Sequence, residues 1–291
     1  MAQIIDGKKM ADDLTAALGA VAIHNRDWTG YAASLAIIKV GNDPASESYV
    51  KSKENACKKC GIVCNVYSFP ETATQEEVVD LIRNLNDDKL VNGILVQLPL
   101  PKQLNEYEVV NEISPVKDVD GFHPMNVGNS SIGIPAIDPC TPKGVMQMIR
   151  DVNGDDLSGL TAVVVGRSNI VGKPIARMLL EANATVIQCH SRTKNLKDFT
   201  KLADIVVVAV GKPNTLTADM IKFGATVIDV GINRVPDSSK KSGYRLVGDC
   251  DFRSLENIAG AITPVPGGVG PMTVANLIGN TIKCYNLQRH C

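Results

Sequence analysis

Short, nearly unbroken apolar runs alternate with stretches whose apolar residues recur every three or four positions, and this alternation continues through most of the 291-residue chain. The first kind fits buried strands and the second fits amphipathic helices. In the first half, residues 34–40, 62–69 and 93–98 read as strands. Helical stretches at 45–59, ending at Gly61, and at 75–88 lie between them. In the second half a helix over 143–150 leads into strands at 162–165, 185–189, 205–210 and 226–230, and helices are expected after Gly172 and Thr217. Such alternation predicts an α/β protein built from parallel sheet. A proline-punctuated connection, Asp138-Pro139-Cys140-Thr141-Pro142, suggests two α/β domains, 1–140 and 141–271. The last helix, from Met272 to about Leu287, is expected to return to the first domain, so that 272–291 completes it.

Composition narrows the partners. Lysine plus arginine total 30 against 31 aspartate plus glutamate, so a net charge of -1 gives no general electrostatic reason to bind nucleic acid or an anionic membrane. A small-molecule partner fits better. The opening Met1-Ala2-Gln3-Ile4-Ile5-Asp6 lacks a basic segment followed by an apolar one, and no stretch approaches the roughly 18 uninterrupted apolar residues of a membrane helix. A cytoplasmic location is therefore expected, and the eight cysteines are expected as reduced thiols. Cys57, Cys60 and Cys64 have a tempting metal-like spacing. Zinc needs a fourth ligand, however, and His24, His123, His190 and His290 form no closely spaced pair with them, so no metal is expected and the role of these thiols stays open.

Two turns carry candidate chemistry. Pro264-Val265-Pro266-Gly267-Gly268-Val269-Gly270-Pro271-Met272-Thr273 is too rich in proline and glycine for a helix interior or a central strand, and it runs straight into an apolar helical pattern. Backbone amides at such an entrance suit a polar or anionic ligand, while a rigid turn joining two domains fits the same residues. The second turn, Gly166-Arg167-Ser168-Asn169-Ile170-Val171-Gly172, follows a buried strand and opens a helix, as at a dinucleotide pyrophosphate site. It departs from the G-x-G-x-x-G fingerprint, with Ser168 in place of the second glycine. At the next strand end, Cys189-His190-Ser191-Arg192-Thr193 offers hydroxyls and a guanidinium where an NAD site would place an acidic residue, which favours NADP. Arg167 is a second candidate cation, and a solvated surface charge is the plainer reading of Arg192.

In the first half, Tyr49 and Lys53 stand four apart on a helix and so share a face. Gln97 ends the strand Ile94-Leu95-Val96, the carboxyl end where α/β sites gather. Asp118 and Asp120 fit either a site or the capping of a turn.

Together these pieces resemble one family: the segment 75–100 ending in Val96-Gln97-Leu98-Pro99, the Tyr49 and Lys53 pair, Asp118-Val119-Asp120-Gly121, Pro139-Cys140-Thr141-Pro142, Gly166-Arg167-Ser168 through Gly172, and Pro266 to Thr273. The chain resembles the bifunctional methylenetetrahydrofolate dehydrogenase/methenyltetrahydrofolate cyclohydrolases over nearly its whole length. Phe122-His123-Pro124 followed by Asn126-Val127-Gly128 looks like the bacterial-type members, whereas the Pro236–Tyr244 loop and the three cysteines stand outside the family pattern. The resemblance implies a Rossmann-type doubly wound second domain, NADP-dependent oxidation of 5,10-methylenetetrahydrofolate, hydrolysis of the methenyl product to 10-formyltetrahydrofolate, a place in one-carbon metabolism and purine biosynthesis, and a homodimer. It puts folate on Tyr49, Lys53, Gln97, Asp120 and the loop residues Pro264, Gly268, Pro271 and Thr273. NADP falls on Gly166, Arg167, Ser168, Ser191 and Ile232, joined by Gly172 and Arg192 from the turn chemistry. Lys53 is suited to move protons in the hydrolysis, Gln97 to orient it, Asp120 to hold the donor edge of the pterin and Tyr49 to pack on the aminobenzoyl ring. A dehydrogenase-only member, or a non-catalytic folate- or nucleotide-binding protein, fits the same motifs.

Overall fold

The computed structural model describes residues 1–240 and 243–289. His290, Cys291 and positions 241 and 242 of the Pro236–Tyr244 loop lie outside the described residues. The chain opens with β1 (Gln3–Ile4), α1 (Gly7–Thr29), β2 (Ser34–Val40), α2 (Pro44–Lys59), β3 (Val63–Phe69), α3 (Gln75–Asp87) and β4 (Gly93–Val96). Helices α4 (Glu106–Asn111), α5 (Pro124–Ser131) and α6 (Cys140–Asn153) follow. Next come β5 (Thr161–Val165), α7 (Gly172–Glu181), β6 (Thr185–Cys189), α8 (Leu196–Thr200), β7 (Ile205–Val208) and β8 (Thr226–Asp229). The chain closes with β9 (Asn233–Pro236), β10 (Tyr244–Val247), α9 (Phe252–Leu255), β11 (Ala261–Ile262) and α10 (Val269–Leu287).

Two compact units result, one of Asp12–Cys140 with the chain from Val274 onward, the other of Met1–Ala11 with Thr141–Thr273. Residues 1–11 thus fall with the second half, because β1 pairs in parallel with β11.

The first unit holds a parallel three-stranded sheet of order β3-β2-β4, with Leu35 opposite both Cys64 and Gly93. Both faces of β2 are covered. Leu35 and Ile37 pack with Cys57, Leu95, Leu277 and Tyr285, and Ala36 and Ile38 pack with Val78, Ile82, Ile94 and Val96 on the other side. Alternate residues of a strand serve opposite faces, which is why a continuous apolar run forms here instead of an alternating one. Polar residues fix the helix ends. Asp43 accepts the Ser46 amide at 2.8 Å to start α2, and Thr74 and Glu77 form a reciprocal capping box on α3. At the other end of α3, buried Lys117 donates to the carbonyls of Leu85, Asn86 and Asp88 at 2.9, 2.8 and 2.7 Å. Burial lowers its pKa, yet three carbonyls at a helix C-terminus favour its charge.

The second unit contains a six-stranded sheet of order β1-β11-β8-β7-β5-β6, all neighbours parallel. Valines of β5 and β7 form its core with Val227, Leu255 and Ile262. Because β6 lies on one side of β5 and β7 on the other, the winding reverses at β5, which opens a crevice at the carboxyl ends of these strands. Strands β9 and β10 form a separate antiparallel hairpin.

Besides the move of residues 1–11 out of the expected 1–140 domain, three expectations change. The helix after Thr217 is a single 3-10 turn, Ala218–Met220, since Leu216 bridges to Cys250 and Ile221 is again extended. Helix α10 begins at Val269, before Met272, because Pro271 lies in its first turn, where no intrahelical amide bond is lost. Strands β4, β7 and β8 stop at Val96, Val208 and Asp229, short of the sequence estimate. Among the described residues no helix is long and apolar enough to cross a membrane.

Candidate active site

In the first unit, α2 presents Tyr49 and Lys53 one turn apart, with Tyr49 exposed and Lys53 half-buried. Lys53 Nζ donates to Gln97 Oε1 at 2.9 Å, and Gln97 Nε2 donates to the Leu98 carbonyl at 2.8 Å. Gln97 is thereby held in one orientation, with its oxygen turned to the ammonium. Parallel pairing of β2 with β4 explains how residues 44 apart in sequence meet.

Asp120 stands in the electrostatic field of Lys53. Desolvation raises its carboxyl from 3.8 to about 6, opposed by the Lys53 charge, reinforced by Asp118 and eased by a hydrogen bond from the Cys140 thiol. Asp118 differs in kind. Buried, it accepts from the amides of Gly121 at 3.0 Å and His123 at 2.8 Å and from Asn126 Nδ2 at 2.9 Å. It therefore shapes the turn that carries Asp120.

In the second unit, the residues drawn from two strand ends come together. The Gly166 amide donates to the Cys189 carbonyl at 2.9 Å, so the turn after β5 adjoins the turn after β6. Gly166 has φ 136°, and a side chain there would overlap the Ala209 carbonyl of the neighbouring β7 end. Ser168 Oγ accepts the amides of Val171 and Gly172 at 3.2 and 3.3 Å and closes the start of α7. Around this turn Arg167, Ser191 and Arg192 are exposed. The Arg192 amide donates to His190 Nδ1 and the Thr193 amide to the His190 carbonyl, a tight bend that leaves both neighbouring side chains pointing outward. Exposed guanidiniums and hydroxyls at adjoining carboxyl strand ends, without an acidic residue in 189–193, suit a phosphorylated dinucleotide.

The proline-glycine loop belongs to the same unit. Its Gly267 carbonyl accepts from the Lys8 amide at 2.9 Å, and Thr273 Oγ1 lies 2.9 Å from Thr141 Oγ1. Gly268 is buried, and a Cβ there would overlap the Pro264 carbonyl, so its missing side chain is required by the loop itself. Gly270 faces Ile232, whose Cδ1 would lie 3.7 Å from an added Cβ.

Two domain models of one family match the chain: the tetrahydrofolate dehydrogenase/cyclohydrolase catalytic domain over residues 5–120 and the NAD(P)-binding domain of the same family over residues 139–289. The chain belongs to the tetrahydrofolate dehydrogenase/cyclohydrolase family. It is 53% identical to the bifunctional protein FolD of Brucella anthropi over 97% of this chain and 95% of that one. Among solved structures it is similar to the bifunctional FolD of Campylobacter jejuni, with TM-score 0.93 and 46% identity over 99% of this chain and 100% of that one. The Trypanosoma brucei FolD, solved with NADP cofactor and an inhibitor, gives TM-score 0.95 and 37% identity over 100% and 99% of the two chains.

Within this member of the tetrahydrofolate dehydrogenase/cyclohydrolase family, the three clustered cysteines do not join the candidate site. Cys57 and Cys60 are buried, and Cys64 is partly exposed. A hydrogen bond between the thiols of Cys57 and Cys64 raises the first and lowers the second, and burial raises Cys60. Among the described residues no group of three or more His, Cys, Asp or Glu is arranged to hold a metal. Sequence reasoning passed over Asp229 and Asp249, two buried carboxylates beside the loops after β7 and β8. Their signal was an aspartate ending an apolar strand, Val227-Ile228-Asp229, and another in Val247-Gly248-Asp249-Cys250.

Proposed function

We propose that the protein oxidises 5,10-methylenetetrahydrofolate with NADP+ and hydrolyses the resulting methenyl cation to 10-formyltetrahydrofolate. The observation that carries this reading is the Lys53 to Gln97 hydrogen bond set beside the partly buried Asp120, in the segment matched by the family's catalytic domain. When bound, NADP+ supplies the hydride acceptor for the bridging carbon. Arg167, Ser191 and Arg192 would take its 2'-phosphate, the Gly166 to Gly172 turn its pyrophosphate, and Ile232 would line the crevice.

The chain's own groups make different contributions to the two reactions. For hydride loss, the nitrogens of the substrate stabilise the cation, so binding and orientation suffice: Asp120 accepts from the pterin's donor edge and Tyr49 packs on the aminobenzoyl ring. For hydrolysis, water loses two protons as its oxygen becomes the formyl oxygen: one is released to solvent, and one must reach the ring nitrogen. Lys53, steered by Gln97, is the group placed to move that proton. We further propose a cytoplasmic homodimer serving one-carbon metabolism and purine biosynthesis, on the strength of the family.

A spectrophotometric assay with methylenetetrahydrofolate tests the reading, following NADPH and methenyl absorbance with NADP+ and NAD+ in turn. Both signals, with decay of the methenyl band, are expected. Formation of NADPH without that decay would leave a dehydrogenase alone, and absence of both would remove the enzymatic reading.

A further inference from the structure

Asp249 is wholly buried and lies just beyond β10. Its carboxylate accepts from three consecutive amides, Val210 at 2.7 Å, Gly211 at 3.0 Å and Lys212 at 2.8 Å, and from Asn233 Nδ2 at 2.9 Å. Among the described residues it pairs with no lysine or arginine, so amide dipoles alone compensate the charge. Asp229, at the end of β8, holds Asp249 in turn. It accepts from the Asp249 and Cys250 amides at 2.9 and 2.8 Å and from Gly231 at 3.0 Å. Two glycines make room: a Cβ on Gly231 would overlap the Asp249 carboxylate, and one on Gly248 would overlap that of Asp229.

The amides gathered by Asp249 belong to a functional edge. Residues 210–212 follow β7, the strand beside β5 at the winding reversal, and the Ala209 carbonyl before them sits where a Gly166 side chain would be. Asn233, the first residue of β9, directly follows Ile232, which ends the loop after β8. One carboxylate therefore ties together loops from two adjacent strand ends that border the crevice.

We propose that Asp249 is a positioning residue for the dinucleotide, fixing the 210–212 backbone and the Ile232-Asn233 turn in the form the cofactor docks against. This rests on the dinucleotide-binding reading above. It acts through those loops and touches no reacting atom.

The test is Asp249→Asn in the full chain, which turns an amide donor toward amide donors while keeping the side chain's size. NADPH affinity by fluorescence titration is expected to weaken about tenfold or more, with a matching rise in KM for NADP+. The rate of methenyl hydrolysis, which consumes no dinucleotide, is expected to change less than about threefold. Unchanged NADPH affinity overturns the proposal, and so does an equal fall of both activities, the mark of a merely structural carboxylate. Should that variant fail to fold, Asn233→Ala removes one donor and leaves the carboxylate: a weakening of about threefold or more with hydrolysis retained supports the proposal, and unchanged affinity overturns it. Failure of the unmodified protein to bind NADPH would instead remove the dinucleotide reading itself.

Discussion

Asp120→Asn should make the protein more stable and a poorer enzyme at the same time. Desolvation holds the Asp120 carboxyl at about 6 instead of 3.8, even with the Lys53 charge pulling it down. The folded chain therefore binds this proton more tightly than the unfolded chain. Stability from that preference is present below the unfolded value and lost as pH rises through about 6. The difference between 3.8 and about 6 corresponds to about 3 kcal/mol of instability at pH 7.5. An asparagine keeps the shape without the ionisation, so the variant is expected to gain about 2–3 kcal/mol at about pH 7.5 and less than about 1 kcal/mol at about pH 4. Urea unfolding of both proteins at both pH values measures the gap, and the contributions of other carboxylates cancel in the difference. The same change removes a charge-assisted acceptor for the pterin, so KM for the folate substrate should rise about tenfold or more. A variant less stable than its parent at neutral pH, or a gap that does not vary with pH, would refute the reasoning.

Lys53→Met removes the donor to Gln97 and the only amine in the cluster; methenyl hydrolysis should fall about 100-fold or more while hydride transfer falls less, so that methenyltetrahydrofolate accumulates as NADPH forms. Equal loss of both activities would reduce Lys53 to substrate positioning. Arg167→Ala and Arg192→Ala should each weaken NADP+ by about 10- to 100-fold with little effect on NAD+, measured as paired KM values. Equal weakening of both dinucleotides would remove the 2'-phosphate assignment. Gly268→Val should lower Tm markedly because its Cβ would meet the Pro264 carbonyl, whereas Gly270→Ala, with only Ile232 Cδ1 at 3.7 Å, should melt near the parent temperature. The reverse order would falsify this account of the loop.

Legibility in the sequence followed how local the signal was. Strand β2 was readable to its end residues because an apolar run buried on both faces stands out against flanking turns; the edge strand β6, with Thr185 and Gln188 exposed, was readable from its short β-branched run between turns. The 23-residue α1 was not, since its sparse Leu14, Leu18 and Ala22 spacing is diluted by alanines and exposed polar residues. Its worth comes from packing Leu18 and Ala22 into a core made by distant strands. β1 and β11, of two residues each, carry no periodicity at all. At the candidate site, Tyr49 and Lys53 were visible as a pair four apart, and Gln97 as a strand end. Their meeting was not, because it depends on parallel register between β2 and β4. Asp118 and Asp120 looked equivalent in sequence; only their partners separate the turn-former, which accepts from two amides and Asn126, from a carboxyl that desolvation raises to about 6. Gly268 shows the opposite failure, a glycine whose purpose is internal to its own loop.

The interlocked set of Asp229, Gly231, Gly248 and Asp249 also bears on how such a chain can diverge. Each carboxylate fills the space that the other aspartate's neighbouring glycine leaves empty. Adding a methyl group at Gly231 or Gly248 meets an occupied site, and shortening either aspartate strands amides that have lost their acceptor. Every single step away is therefore costly, while a paired exchange, a smaller acceptor together with a larger neighbour, can pass between two workable arrangements. Mutational drift here should proceed in coupled jumps, leaving the four positions to change as a block or not at all.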